Sequence, residues 1–245
     1  MPVINELPFT IDIVPGVHEY PLPHFATKFP AGLQIDQAND GVLINDVKWA
    51  RNSHFANMGS IDPKLFKKGV RFKLHRPPYP KDLVIDLSTF GDVRGRIQGK
   101  LLVADKAEPP FSLLMPFELH DQPPMRPWEN TILPGIEATA QARPQVAGAP
   151  RELLLPEHIR EACIKGAIEI RVISYRMMDP VFRKNIVAPD SERAYAAVID
   201  ANSIRFIKPH SIAAGEVMFI SAKNMTADPI QNFSCAAVLD LAEVP

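Results

Sequence analysis

Seven histidines are the residues best suited to proton transfer or metal binding: His18, His24, His54, His75, His120, His158 and His210. None stands in a His-x-His pair or at helical i, i+4 spacing, the arrangements that aim two imidazoles at one ion. His18 and His24 flank "EYPLP" and could meet a metal only if that loop folded back. A cupin-like metal site is the form this would take, but its paired strand histidines are missing. His120 and Asp121 are neighbours at a strand exit, where adjacent side chains point apart. His158 and Cys163 are five residues apart, about 140° around a helix axis, so they form no nucleophile–base dyad. There is no GxSxG, HExxH, P-loop or Rossmann glycine pattern. The surviving enzymatic reading is a β-rich metabolic enzyme whose pocket gathers His18, His24, His54 and His120. No metal or other cofactor is expected.

The second chemical feature is charge. Lys64, Lys67, Lys68, Arg71, Lys73, Arg76 and Lys81 fall in one stretch that contains no acid. From Val70 to His75, apolar and cationic residues alternate, which on a strand sends charge to one face and Val70, Phe72 and Leu74 to the other. Arg94, Arg96 and Lys100 repeat the pattern further on. Three partners could meet these rows: water, with acids on neighbouring strands; an acidic protein surface; or nucleic acid. The first is favoured. Phe66, Phe72 and Tyr79 do not form a stacking platform, so nucleic acid would be held through phosphates alone.

Stepping outward, these residues sit among short period-two segments. Strands are predicted over 9–14, 41–49, 70–75, 82–88, 92–104, 111–119, 167–178, 193–200, 203–209, 215–222 and 232–244. One helix is predicted in "LPEHIREACIKG", with Pro156 opening it, Glu161 and Lys165 paired, and Gly166 ending it. Strands without regular βα alternation predict a mainly β chain: an antiparallel β-sandwich, jelly-roll-like, with one or two short helices.

Residues 120–150 lose periodicity and are rich in proline. They are read as a long arm or linker, with Trp128 and Ile132 apolar enough to dock. The expected organisation is a β-rich lobe over 1–119, the arm over 120–150, and a helix with a second β-rich segment over 151–245, either separate from the first lobe or continuous with it. No internal sequence repeat is evident.

Proline is the compositional outlier, 25 residues against 12 glycines in 245. Such a chain has stiff, individually shaped connections. The formal net charge is −1, so the whole molecule is not drawn to polyanions or membranes. Cys163 and Cys235 form no CxxC pair and are read as buried thiols in a reducing compartment. Asn224-Met-Thr226 and Asn232-Phe-Ser234 are read as chance glycosylation triplets. The N-terminus lacks the basic and apolar regions of a signal peptide, and no apolar run is long enough to span a bilayer.

Together these features favour a structural assembly protein, a virion subunit of capsid, spike or tail, associating with copies of itself and with other structural subunits. The alternatives are the metabolic enzyme above, in the cytoplasm, and a ligand- or carbohydrate-binding sandwich.

Overall fold

The computed structural model describes residues 4–25, 28–49, 52–67, 69–71, 83–89, 94–106, 111–119, 131–175, 183–185, 197–199, 203–206 and 211–241. The fold is mainly β and built from antiparallel sheets. It divides into two compact units, the boundary falling between Leu114 and Met115. The described residues hold one α-helix, and no helix among them is long and apolar enough to cross a membrane.

The first unit contains β1 (Ile4–Ile13), β2 (Val17–Pro21), β3 (Phe29–Ala38), β4 (Val42–Trp49), β5 (Asn52–Ser53), a 3-10 turn (Pro63–Phe66), β6 (Leu83–Thr89) and β7 (Gly95–Ala104). One sheet has the order β1-β7-β3, and the other β2-β6-β4-β5. Val70 extends the first sheet beyond β3 by a single bridge to Leu33, with N–H to O distances of 2.8 and 2.9 Å. The β1–β7 ladder shows why the pattern folds this way. Ile11 and Ile13 are buried while Glu6, Thr10 and Asp12 are exposed, so the strand turns one face to the core. The core of this unit is branched aliphatic, with Leu33, Ile44, Val47, Ile85, Leu87, Ile97 and Leu101 wholly buried.

The chain crosses the boundary within β8 (Ser112–Pro116). The second unit continues with β9 (Glu118–Leu119), β10 (Glu137–Ala142), β11 (Gly148–Leu154), α1 (Glu157–Ile164), β12 (Ile168–Tyr175), β13 (Arg183–Asn185), β14 (Ala197–Ile199), β15 (Ser203–Phe206), β16 (Val217–Asn224) and β17 (Ala236–Leu241). Its sheets have the orders β13-β12-β16-β10-β9 and β14-β15-β11-β17-β8. The helix is the predicted one. Pro156 caps it, and Gly166, at φ +71°, ends it in the left-handed conformation that glycine adopts without a Cβ clash.

The two units share one pairing scheme. In the first, the opening strand β1 lies beside the closing strand β7, which lies beside β3 and then Val70. In the second, β8, β17, β11 and β15 follow the same order. The partner sheets correspond likewise: β2-β6-β4-β5 against β10-β16-β12-β13. The second unit adds β9 and β14 at its edges. The sequence reading found no repeat, and at the level of topology there is one.

The predicted arm needs correcting over its described part. Residues 137–142 and 148–154 are strands with central positions in their sheets, not a linker. Their inward side chains include Ala140 and Ala142, too small to register as an apolar face, and Pro150 interrupts β11 where the ladder shifts register. Proline is tolerated there because a bulge removes the need for its missing N–H.

Candidate functional site

Several cations of the predicted rows meet acids. Val70 is buried and Arg71 exposed, as the alternation requires. Lys68, Lys73, Arg76 and Lys81 lie outside the described residues, as do Trp128, His75, His120 and His210. Lys64 stands in the 3-10 turn, its Nζ 2.6 Å from Asp40 Oδ1. Lys67 and Arg94 are exposed.

Both cations of β7, Arg96 and Lys100, meet a carboxylate from β1. Arg96 Nε is 2.6 Å from Oδ1 of Asp12, its direct ladder partner. Lys100 Nζ is 2.7 Å from Oε2 of Glu6, diagonally across the ladder. The hydrogen bond to Glu6 is the main cause holding the Lys100 ammonium above its ordinary value, and Asp36 on β3 adds to it. β3 also lies between β7 and Val70, and its Asp36 accepts from Gln34 Nε2 at 2.6 Å. This face is therefore of mixed sign. A polyanion docking on it would first have to displace carboxylates. The described geometry favours the solvated-face reading of Arg96 and Lys100 over a phosphate track.

A tighter polar cluster lies on the other sheet of this unit, and the sequence reading did not single it out. Lys48 Nζ sits 2.7 Å from Asp86 Oδ2 and 2.9 Å from Glu19 Oε1. Asn45, the extra residue at a bulge in β4, donates to Asp86 Oδ1 at 3.3 Å and accepts from Ser60 and Ser88. Glu19 and Asp86 are direct ladder partners, so two like charges face each other with the ammonium between them. The two carboxylates hold the Lys48 pKa well above the usual lysine range. A lysine so held is fully protonated, which makes it a strut and not a nucleophile. Replacing it, Lys48→Met, is expected to destabilise the first unit by about 2 kcal/mol at neutral pH, between the values for exposed and buried pairs. Urea midpoints at pH 7 check this, and unchanged stability would reduce the cluster to decoration.

The histidines are used locally. His18 Nε2 lies 2.9 Å from Pro15 O, and His24 stacks on Phe25; both are exposed. His158 lies 2.9 Å from Gln231 O in the second unit. Among the described histidines His54 alone is buried, with no hydrogen-bond partner for Nε2. The contacts of His18, His24 and His54 thus differ. Among the described residues no group of three or more His, Cys, Asp or Glu is placed to hold a metal ion. Burial pushes the Cys163 thiol up to about 12 and Cys235 higher still, so neither is poised as a thiolate.

In the second unit Ile132 does dock. It is buried and forms an antiparallel bridge with Ile230 inside its own unit. Beside it, Asn224 is fully buried, and its amide makes four hydrogen bonds: to Ile132 O, Asp228 O, Thr226 N and Thr226 Oγ1. The triplet read as a glycosylation match is an Asx turn, which the same Asn-x-Thr spacing signals. Leu133, Ile136, Ile164 and Met225 surround this hub in the chain and are each more than half exposed. Backbone bonds from Gly135 to Asn224, Asn224 to Ile136 and Met225 to Ala167 bring their segments to one end of the unit. In the first unit, exposed Val14 and Val17 flank the β1–β2 turn. No protein-family model matches the chain, and no curated protein matches it.

Proposed function

We propose that the protein is a structural assembly subunit of virion type, and that each unit is wound as a jelly roll. The observation that carries this reading is the repeated pairing scheme. Opening strand beside closing strand beside third, with second beside penultimate beside fourth, is the order produced by two nested Greek keys. Jelly rolls serve viral shells, lectins and cupins alike, so the winding alone does not choose among them.

Three features favour assembly. The exposed aliphatic residues gather on connections between strands, where a neighbour can cover them. Stiff prolyl connections lose little entropy when an interface orders them. A net charge of −1 lets many copies pack without accumulating repulsion. The enzymatic alternative would need His18, His24 and His54 to act together, and their contacts differ. The partners are copies of this chain and other structural subunits, with nucleic acid contacted, if at all, through phosphates.

The test is size-exclusion chromatography with light scattering over a wide concentration range, followed by negative-stain imaging. Discrete oligomers that grow into closed or sheet-like particles are the expected result. A monomer at every concentration, with no ordered particles, would end this reading.

A further inference from the structure

We propose that the His54 imidazole is an acid-operated latch on the strand by which the chain leaves the first unit. In the neutral state it lies in the core and residues 54–56 stay bonded to Leu114; on taking a proton it must leave, and that bridge opens with it. This inference does not depend on the assembly reading.

The geometry places His54 where three pieces of chain meet. Its backbone N–H donates to Val47 O at 2.9 Å and lies 3.2 Å from Asp46 Oδ1, so it is tied to β4. Its carbonyl accepts from Leu114 N at 2.9 Å, and Ala56 N donates to Leu114 O at 2.6 Å, forming a parallel bridge to β8. Phe55, Ala56 and Leu114 are all buried, so opening the bridge exposes apolar surface. Within this packing the residue is 7% exposed, and Nε2 has no partner. A neutral nitrogen without a partner is a modest cost, whereas a cation there is a large one.

The charged groups on the bonded elements do not relieve it. β4 supplies Asp46 and Lys48; β8 and residues 52–57 supply no titratable group besides His54. Asp46 is buried, and its Oδ1 is directed to the backbone N–H of His54 and not to the ring. Burial is the sole cause acting on the imidazole, lowering its pKa to about 4. An opened segment has the ordinary value of about 6.5. The open form therefore binds the proton first as pH falls. The latch is at full strength above about pH 6.5, weakens below it, and has lost this contribution below about pH 4. From pH 7 to pH 5 the open-to-closed ratio rises roughly twentyfold. Asp46 works the other way: desolvation raises its pKa, so the closed form takes up its proton first. That contribution is present at low pH and lost as pH rises.

Hydrogen exchange read by mass spectrometry, corrected for intrinsic rates, tests the proposal. Segments 52–58 and 111–117 should open about twentyfold more at pH 5 than at pH 7, while the β1–β7 ladder stays protected. His54→Phe, which keeps a buried ring and removes the titration, should abolish the rise and leave only the opposite trend from Asp46. Because that variant could fail to fold, the wild-type imidazole is also titrated by NMR, with a midpoint below 5 expected. A midpoint near 6.5, or exchange in both segments that does not change with pH, would overturn the latch.

Discussion

Asn224→Asp is expected to cost the second unit about 4 kcal/mol or more at neutral pH, the largest effect of any single change considered for this chain. The substitution preserves shape and keeps an acceptor for the backbone and hydroxyl of Thr226. It removes the two N–H donors that reach Ile132 O at 2.9 Å and Asp228 O at 2.8 Å. A carboxylate oxygen then faces two carbonyl oxygens at a site with 0% exposure. Each carbonyl keeps one other donor, Ile230 N for Ile132 O and Thr226 Oγ1 for Asp228 O, so the cost comes from two lost hydrogen bonds and a buried charge held against two carbonyl oxygens. A domain is stable by only about 5–15 kcal/mol in total, so the unit would be marginal. Acid should partly rescue the variant. The introduced carboxyl has a folded-state pKa raised by burial, so its protonated form, which regains one donor, stabilises at low pH and is lost as pH rises. Guanidine midpoints for each unit at pH 7 and pH 4 read both effects. A midpoint within error of wild type at pH 7 would mean the hub does not hold the 131–136 turn.

Part of the fold is legible in the sequence and the rest is not, for reasons the contacts make plain. β4, β6, β7, β12 and β16 carry continuous branched-aliphatic patterns and fall close to where periodicity places them. β3 was missed because Pro30 and Gly32 break its pattern. Both stand at a register shift, where a ladder tolerates them. β10 was missed because alanine fills its inward positions, and β11 because of Pro150. The cationic residues of β7 were identified by type, but their partners were not: Asp12 and Glu6 lie 84 and 94 residues away in the chain. His54 carried no mark of burial, since its ring is enclosed by long-range packing and not by its own neighbours.

The internal repeat shows the same limit at a larger scale. It is a property of which strands pair, and pairing can be kept while every connection changes. The third and fourth strands of the first unit are joined by a turn at 39–41, whereas the equivalent strands of the second are separated by α1. The sixth strand position is a single bridge at Val70 in one unit and the four-residue β15 in the other. What survives is the placement of exposed apolar residues. Val14 lies between the first and second strands of one unit and Val17 opens the second, while Leu133 and Ile136 lie between the equivalent strands of the other. Equivalent connections carrying similar surface chemistry are what a subunit reusing one kind of contact twice would have, and this supports the assembly reading.

Gly99→Ala is expected to destabilise the first unit by about 3 kcal/mol, at the upper end of the cost of adding a methyl to a packed core. Gly99 lies on β7, opposite Phe9 of β1 and Ile35 of β3, so it has a strand on either side. A Cβ there would collide with the backbone oxygen of Gln34 and approach the Phe9 ring tip at 3.1 Å. The ring could rotate away, but the carbonyl belongs to the ladder and can yield only if β3 moves. β3 already shifts register between Ile35 and Gln37 at this point, so the methyl would occupy the space the bulge uses. Truncating the ring as well, Phe9→Ala with Gly99→Ala, should therefore recover little of the loss. Gly41 is the contrast. A Cβ there meets nothing within 4 Å, but φ is +89°. Its constraint is its own backbone, so Gly41→Asn should be mild because asparagine enters the left-handed region more readily than other side chains. The same residue at position 99 should be worse than alanine. Urea unfolding of the four variants separates a glycine kept for its dihedral from one kept for its neighbours. Equal losses at the two positions would show that the close approach of β3 to β7 is not what position 99 protects.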